Sequence, residues 1–234
     1  MIVGDSNMDS KDFLSKLWVP IIRAYENFVI NRFHNIYYNG RFGENAIISR
    51  TRREELPCLK CPLDMWIYQE IITEIEPDLI IETGSYRGGS ALFMARLLDI
   101  LDKGSIITID IEDLDKKDHP RIQHITGSST DDNLIASVVS SYKMDTCLVI
   151  LDSDHSKAHV SKEMDLLSRY VTIGSYLIVE DTNINGHPTY PKFGAGPYEA
   201  VVEFLRKTND FILDRSREKF LMTFNPKGYL RRVK

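Results

Sequence analysis

Two acidic runs carry the most evident chemistry in this chain. Asp152-Ser153-Asp154-His155 follows the apolar run Cys147–Leu151, and Glu180-Asp181 follows Tyr176–Val179. A helix over Lys157–Tyr170 would lay the two apolar runs side by side as parallel strands. Neighbouring strands lie about 4.8 Å apart, so Asp152 and Glu180 should face each other at one sheet edge. Adjacent carboxylates without a cation repel, and one is forced to hold a proton. Mg²⁺ removes that conflict, because it takes a few carboxylates and completes its shell with water and substrate oxygens. Cysteine and histidine do not dominate the set, which disfavours zinc. A hydrogen-bonded acidic cluster, or a carboxylate capping a helix, is the plainer alternative. His155 lies three residues past Asp152, at the mouth of the same cleft. An imidazole there can take a proton from a hydroxyl near neutral pH, or it can be structural. His159, at i+4 on the next helix, would be exposed or would support His155.

A third segment, Glu82-Thr83-Gly84-Ser85-Tyr86-Arg87-Gly88-Gly89-Ser90, follows the apolar Leu79-Ile80-Ile81. Glycines permit a tight turn and a close approach of backbone to ligand. No lysine follows the last glycine, and the spacing is not GxGxxG, so neither phosphate-binding motif applies. An acid directly before the loop suits a cationic amino-acid group, such as the ammonium of S-adenosylmethionine, better than a pyrophosphate. A plain strand-to-helix turn is the alternative. Asp110 closes the run Ile106–Ile109, 21 residues past Gly89. That is close to the spacing of about 20 for a carboxylate that accepts ribose hydroxyls. Glu112 and Asp113 compete with it. Ser128, in Gly127-Ser128-Ser129, would meet an adenine edge or cap a helix. Thr182–Pro197 is long enough to serve as a lid. Within it, Tyr190 and Phe193 would wall a substrate pocket, and His187 is a second candidate base.

All of these residues need a scaffold that gathers strand ends. Short β-branched runs at 79–81, 106–109, 122–125, 147–151 and 176–179 alternate with helical segments. This is the pattern of parallel strands covered on both faces, whose ligands bind beyond the carboxyl ends. Phe211–Leu213 and Leu221–Phe224 are too close for a helical crossover and should pair antiparallel. The expected fold is α/β, a doubly wound, seven-stranded, Rossmann-like methyltransferase sheet with its last strand antiparallel. Residues 62–234 would form this domain, opened by Pro62 at a helix N1 position. Residues 1–61 would be a helical and irregular extension that caps the domain or mediates oligomer contacts. Its helix would run from Lys11 to about Arg32, with a break near Pro20.

Composition narrows the function classes. The 234 residues are 43% hydrophobic and 27% charged, as in an ordinary globular protein. With 29 Lys+Arg against 34 Asp+Glu, the net charge of −5 lacks the basic footprint of a nucleic-acid binder. No apolar run is long enough to cross a bilayer, and no signal peptide is visible, so no membrane partner is expected. Three cysteines cannot build a disulfide framework, which fits a cytoplasmic setting. Cys58-Leu59-Lys60-Cys61 lacks the second half of a zinc site and the strand of a redox motif. A small-molecule hydroxyl acceptor and a homo-oligomer are the expected partners.

Several stretches together resemble the cephalosporin hydroxylase family, which includes rhamnosyl O-methyltransferases. They are Cys61-Pro62-Leu63-Asp64-Met65-Trp66-Ile67-Tyr68-Gln69-Glu70, the 82–90 loop, Leu151–Ser156, Val179–Asn183, Asp214–Phe220 and Gly228–Arg232. The likeness covers roughly 60–234. It implies an S-adenosylmethionine-dependent, Mg²⁺-using O-methyltransferase acting on a saccharide or natural-product hydroxyl. The 82–90 loop is also similar to the cofactor loop of catechol O-methyltransferases. That likeness implies cofactor contacts at Glu82, Gly84, Tyr86 and Ser90. Ser85 and Gly88 belong to the same loop, and Asp110, Ser128 and Asp152 complete the expected cofactor set. The likeness further implies metal ligands at Asp152, Glu180 and Asp181, and a base at His155, where the catechol enzymes carry lysine. Two other readings stay open: Asp152-Ser153-Asp154 as the DxD of a metal-dependent glycosyltransferase, and a non-catalytic S-adenosylmethionine-binding module.

Overall fold

The structure is a computed structural model that describes residues 10–40, 47 and 50–234. The apolar runs become the strands of one sheet. These are β1 (Leu79–Thr83), β2 (Ser105–Asp110), β3 (Ile122–Thr126), β4 (Cys147–Leu151), β5 (Tyr176–Val179), β6 (Phe211–Leu213) and β7 (Tyr229–Arg232). Their spatial order is β3-β2-β1-β4-β5-β7-β6. The first five in that order are parallel, and β7 runs antiparallel to both of its neighbours. The order reverses between β1 and β4, which opens a crevice at their carboxyl ends.

Among the described residues, six α-helices accompany the sheet: α1 (Ser10–Asn39), α2 (Pro62–Ile75), α3 (Gly89–Leu101), α4 (Asp132–Val139), α5 (Lys157–Leu167) and α6 (Pro197–Lys207). Alternation along the strands divides the core in two. Ile81, Ile107, Val149 and Leu177 pack with Val139 of α4, Met164 of α5 and Val201 of α6. Ile80, Ile106, Leu148 and Ile178 point the other way, onto Ile71 of α2 and Leu98 of α3. Each such side chain removed from water contributes about 1.5–3 kcal/mol. Among the described residues, no helix is long and apolar enough to cross a membrane.

Two expectations are corrected. The first helix is one continuous element to Asn39, with Pro20 inside it and no break. Residues 18–29, Pro20 among them, are exposed there. The helix outlasts Arg32 because its last turns dock on the body. The Nε2 atom of His34 lies 2.9 Å from Asn183 Nδ2, and Asn35 donates to the carbonyl of Pro188 at 3.1 Å. The second correction concerns the antiparallel pair. Its later strand is Tyr229–Arg232, not Leu221–Phe224. Thr223 Oγ1 and the Phe224 N–H both donate to Asp64 of α2, at 2.5 and 2.8 Å. Met222 and Phe224 face Cys61, Tyr37 and Tyr38. With its donor and side chains so engaged, that stretch cannot also serve as a strand.

Asp64 therefore clamps α2 to the end of the sheet, with Tyr229 Oη as a third donor at 2.9 Å. Burial pushes its carboxyl up to about 7, against the pull of these donors. Asp64→Ala leaves all three donors without an acceptor. Urea unfolding should show a loss of about 3 kcal/mol, and a wild-type midpoint would refute the clamp.

Candidate active site

The crevice holds a cavity of about 700 Å³, within the ordinary range for small-molecule sites. Gly84, Ser85, Tyr86, Ser90, Asp110, Ser128, Asp152, His155 and Asp181 all line it, together with Tyr38 and Lys60. The described lining does not include Glu82, Gly88 or Glu180.

The glycine loop is shaped by close backbone approach. Gly84 sits at φ +81°, and a Cβ there would fall 1.8 Å from the carbonyl oxygen of Asp152. Only glycine lets the loop lie against the end of β4 in this way. Gly88, at φ +76°, is the N-cap of α3. Glu82 is fully buried beneath the loop. It accepts Ser90 Oγ at 2.5 Å and Thr108 Oγ1 at 2.6 Å, and burial pushes its carboxyl up. Ser85 Oγ lies 2.6 Å from the same Thr108 hydroxyl. Asp110 accepts the Tyr86 N–H at 2.7 Å and the Glu112 N–H at 2.9 Å. Its carboxylate thus stands at the cavity wall, held against the loop. Ser128 Oγ pairs with Thr130 Oγ1 at 3.0 Å.

The acidic runs meet at the carboxyl ends of β4 and β5. One potential ligand atom each from Asp152, His155 and Asp181 lies within 4.8 Å of the others. His155 Nε2 is 3.2 Å from Asp181 Oδ2. Glu180 is adjacent, joined to Asp152 through Lys60, but is not one of this trio. Its Oε1 lies 2.5 Å from Lys60 Nζ, and Tyr68 hydrogen-bonds it from below. Lys60 also donates to Asp152. Burial pushes Asp152 up to about 6, with Asp181 adding repulsion and Lys60 opposing both. Burial and the charge of Asp152 push Glu180 up to about 7, and burial and Glu180 raise Asp181. Burial alone would lower the Lys60 ammonium, but Asp152, Glu180 and Glu82 hold it well above the usual lysine value. Four carboxylates, Glu82 included, thus surround one ammonium. An all-oxygen, negatively charged set with an imidazole beside it fits a hard divalent cation.

The remaining expected residues are engaged by other partners, although Asp154 and His159 also line the cavity. His159 turns to Ser129 Oγ at 3.1 Å and to buried Glu163 at 3.5 Å, away from His155. Asp154 accepts the Ser156 N–H at 2.7 Å, so the second acid of the DxD caps a turn. His187 Nε2 lies 3.1 Å from Glu199, and its ring stacks on Tyr198 at 3.6 Å, outside the cavity lining. Tyr190 packs edge-on to Tyr38 at 5.6 Å, and Phe193 stands half exposed on the same loop. That loop is partly pinned. Thr182, Asn183, Ile184 and Thr189 are buried, and only Tyr190–Ala195 is an exposed tip. Cys58 and Cys61 are free, buried thiols.

Two residues at the site were not anticipated. Lys60 comes from the segment before α2, and Tyr38 comes from the end of α1. Burial and the charge of Asp181, to which Tyr38 also hydrogen-bonds, raise the Tyr38 phenol. The partners of Lys60 stand 92 and 120 residues away. The one local hint was a lysine set in an otherwise apolar run beside Pro62.

The chain resembles known proteins along most of its length. It is 42% identical over 211 residues to a rhamnosyl O-methyltransferase of Mycobacterium leprae (strain TN), covering 86% of this chain and 90% of the relative. It is 39% identical over 212 residues to a rhamnosyl O-methyltransferase of Mycobacterium tuberculosis (strain ATCC 25618 / H37Rv), covering 86% and 84%. Among solved structures it matches CmcI described as D160 Mg-SAM, with TM-score 0.63 and 23% identity over 80% of this chain and 78% of that one. This last likeness speaks for the fold. A family model described as Rhamnosyl O-methyltransferase/CmcI matches residues 47–233, and the chain belongs to that family.

Proposed function

We propose that this protein transfers the methyl group of S-adenosylmethionine to a hydroxyl of a saccharide or related small molecule, with Mg²⁺ at the acidic cluster. The observation that carries this reading is the junction of two features in one cavity. The glycine loop with Asp110 lies at one end, and Asp152, His155 and Asp181 converge at the other. The rhamnosyl O-methyltransferase relatives point to a sugar hydroxyl as acceptor. The free cysteines are consistent with a reducing, cytoplasmic setting. In this reading residues 1–61 are an extension and residues 62–234 form the methyltransferase domain.

Each group has a role that its chemistry supports. Asp110 would accept the ribose hydroxyls, while Gly84, Ser85 and Tyr86 would present loop backbone to the cofactor. Glu82 would hold the loop to Ser90 and Thr108 rather than meet the ligand. Asp152 and Asp181 would hold the metal, with Glu180 beside them as a ligand or as the anchor of Lys60. Mg²⁺ held there would supply Lewis acidity toward the acceptor hydroxyl. His155 would take the proton of that hydroxyl, and Asp181 would stabilise the imidazolium so formed. Fixing donor and acceptor in line removes much of the entropic barrier.

Three outcomes test this reading. First, excess chelator should abolish methyl transfer to a rhamnoside while S-adenosylhomocysteine binding persists, and full activity in chelator would sink the metal. Mg²⁺ affinity should also weaken as pH falls from 8 to 6. Asp152 and Glu180, pushed up to about 6 and 7, bind protons in that window, and the metal must displace them. Calorimetry should register the released protons. Second, His155→Ala should lower turnover by roughly 10²–10⁴-fold, the usual contribution of a positioned base. Mg²⁺ affinity measured on the same variant separates a base from a ligand, since only a ligand weakens the metal. Third, Lys60→Met leaves Asp152 and Glu180 without their cation, a change that costs about 3–5 kcal/mol for a buried pair. The metal-free variant should melt earlier than wild type, and Mn²⁺ should recover more of its stability than it adds to wild type. Equal melting temperatures without metal would remove Lys60 from this role.

A further inference from the structure

The described part of α1 is strongly apolar in the wrong place for a monomer. Trp18, Ile22, Tyr25, Phe28, Val29 and Phe33 are all exposed, with Tyr25 68% and Phe28 65% accessible. At 3.6 residues per turn they fall within an arc of about 140°, the width of an ordinary buried helix face. His34 and Tyr38, which contact the body, project from the opposite side. The stripe therefore faces away from the domain that the helix is anchored to. Scattered surface apolar residues are normal, but a contiguous stripe of this kind marks an interaction surface.

We propose that this face of α1 is the interface of a homodimer, in which two copies of the helix pack against each other about a two-fold axis. The exposed apolar side chains present on the order of 900 Å² per copy, against about 800 Å² per partner in a standard stable interface. The face carries both signs of charge, Arg32 within the stripe and Glu26 at its edge. An isologous contact can use this, since each patch meets its own copy. A lipid surface fits less well. Membrane-lying helices carry several lysines and arginines along the polar face, whereas here Arg23 stands there with the neutral Asn27 and Asn31. The net charge of −5 would also be repelled by anionic headgroups. The same helix ends at Tyr38 in the cavity wall, so the contact would brace a wall of the site.

Sedimentation velocity on the full chain tests this without any activity measurement. Wild type at 20–50 µM should sediment at twice its 26.9 kDa chain mass. The double variant Tyr25→Glu/Phe28→Glu, changed only at solvent-facing positions, should keep its circular dichroism and raise the dimer dissociation constant at least about a hundredfold. A monomeric wild type overturns the proposal. A variant that still dimerises as tightly moves the interface away from α1 and overturns it too. So does flotation of wild type with phosphatidylserine–phosphatidylcholine vesicles that the variant fails to join, because the stripe would then be a membrane face.

Discussion

The site depends on one buried cation. Among the described residues, Lys60 is the only lysine or arginine classed as buried, and it sits where the ends of β1, β4 and β5 deliver Glu82, Asp152 and Glu180. Removing a carboxylate from water costs several kcal/mol, and grouping carboxylates adds repulsion. Strand register forces the grouping, because β4 lies directly between β1 and β5. An ammonium held by two of the acids makes the register tolerable before any ligand arrives. It does so with a tether, since Lys60 lies just ahead of Pro62, where α2 begins. The α2 helix is fixed in turn by Asp64, so the position of the cation is set by the same helix that closes the sheet.

In the proposed reading the methyl donor lies at the glycine-loop end of the cavity and the acceptor at the acidic end, and the two ends are built differently. Loops after β1, β2 and β3 shape the donor end, where Glu82 of β1 and Thr108 of β2 are joined to Ser85 and Ser90 around the glycine loop. These are short, neutral-to-charged hydrogen bonds in a dry setting, where they are strong. The acceptor end takes Tyr38 from α1 and has Tyr190 packed behind it. That wall is made of side chains from separate segments and carries an exposed tip. Such an arrangement keeps one end of the cavity constant while the other is free to differ in shape.

The sequence made much of this legible where the signal is local. An apolar run followed at once by Asp152, Glu180 or Asp110 states both the strand and the position of its end. Turn chemistry in the same way marks Gly84 and Gly88. Glu82 shows a local signal only half used. It shares strand parity with Ile80, and parity alone sends it beneath α3, toward Ser90, instead of into the cavity. Lys60 and Tyr38 lay beyond reach, because a side chain's partners across 92 or 120 residues follow from packing and not from spacing. The missing strand at 221–224 failed for a related reason. Its hydrogen-bond donor is claimed by Asp64, a residue about 160 positions earlier.

The anchorage of α1 also sets an order in time. His34 waits for Asn183, 149 residues downstream, and Asn35 waits for Pro188, 153 residues downstream. At about 5–20 residues synthesised per second, the helix stands without its dock for roughly 7–30 s. By then β1 to β4 have left the ribosome, and the glycine loop, Asp110 and Asp152 can already assemble. The glycine-loop end of the cavity can thus form on the nascent chain before Tyr38 is held in the opposite wall. A helix made well before its dock becomes the last part to join the site.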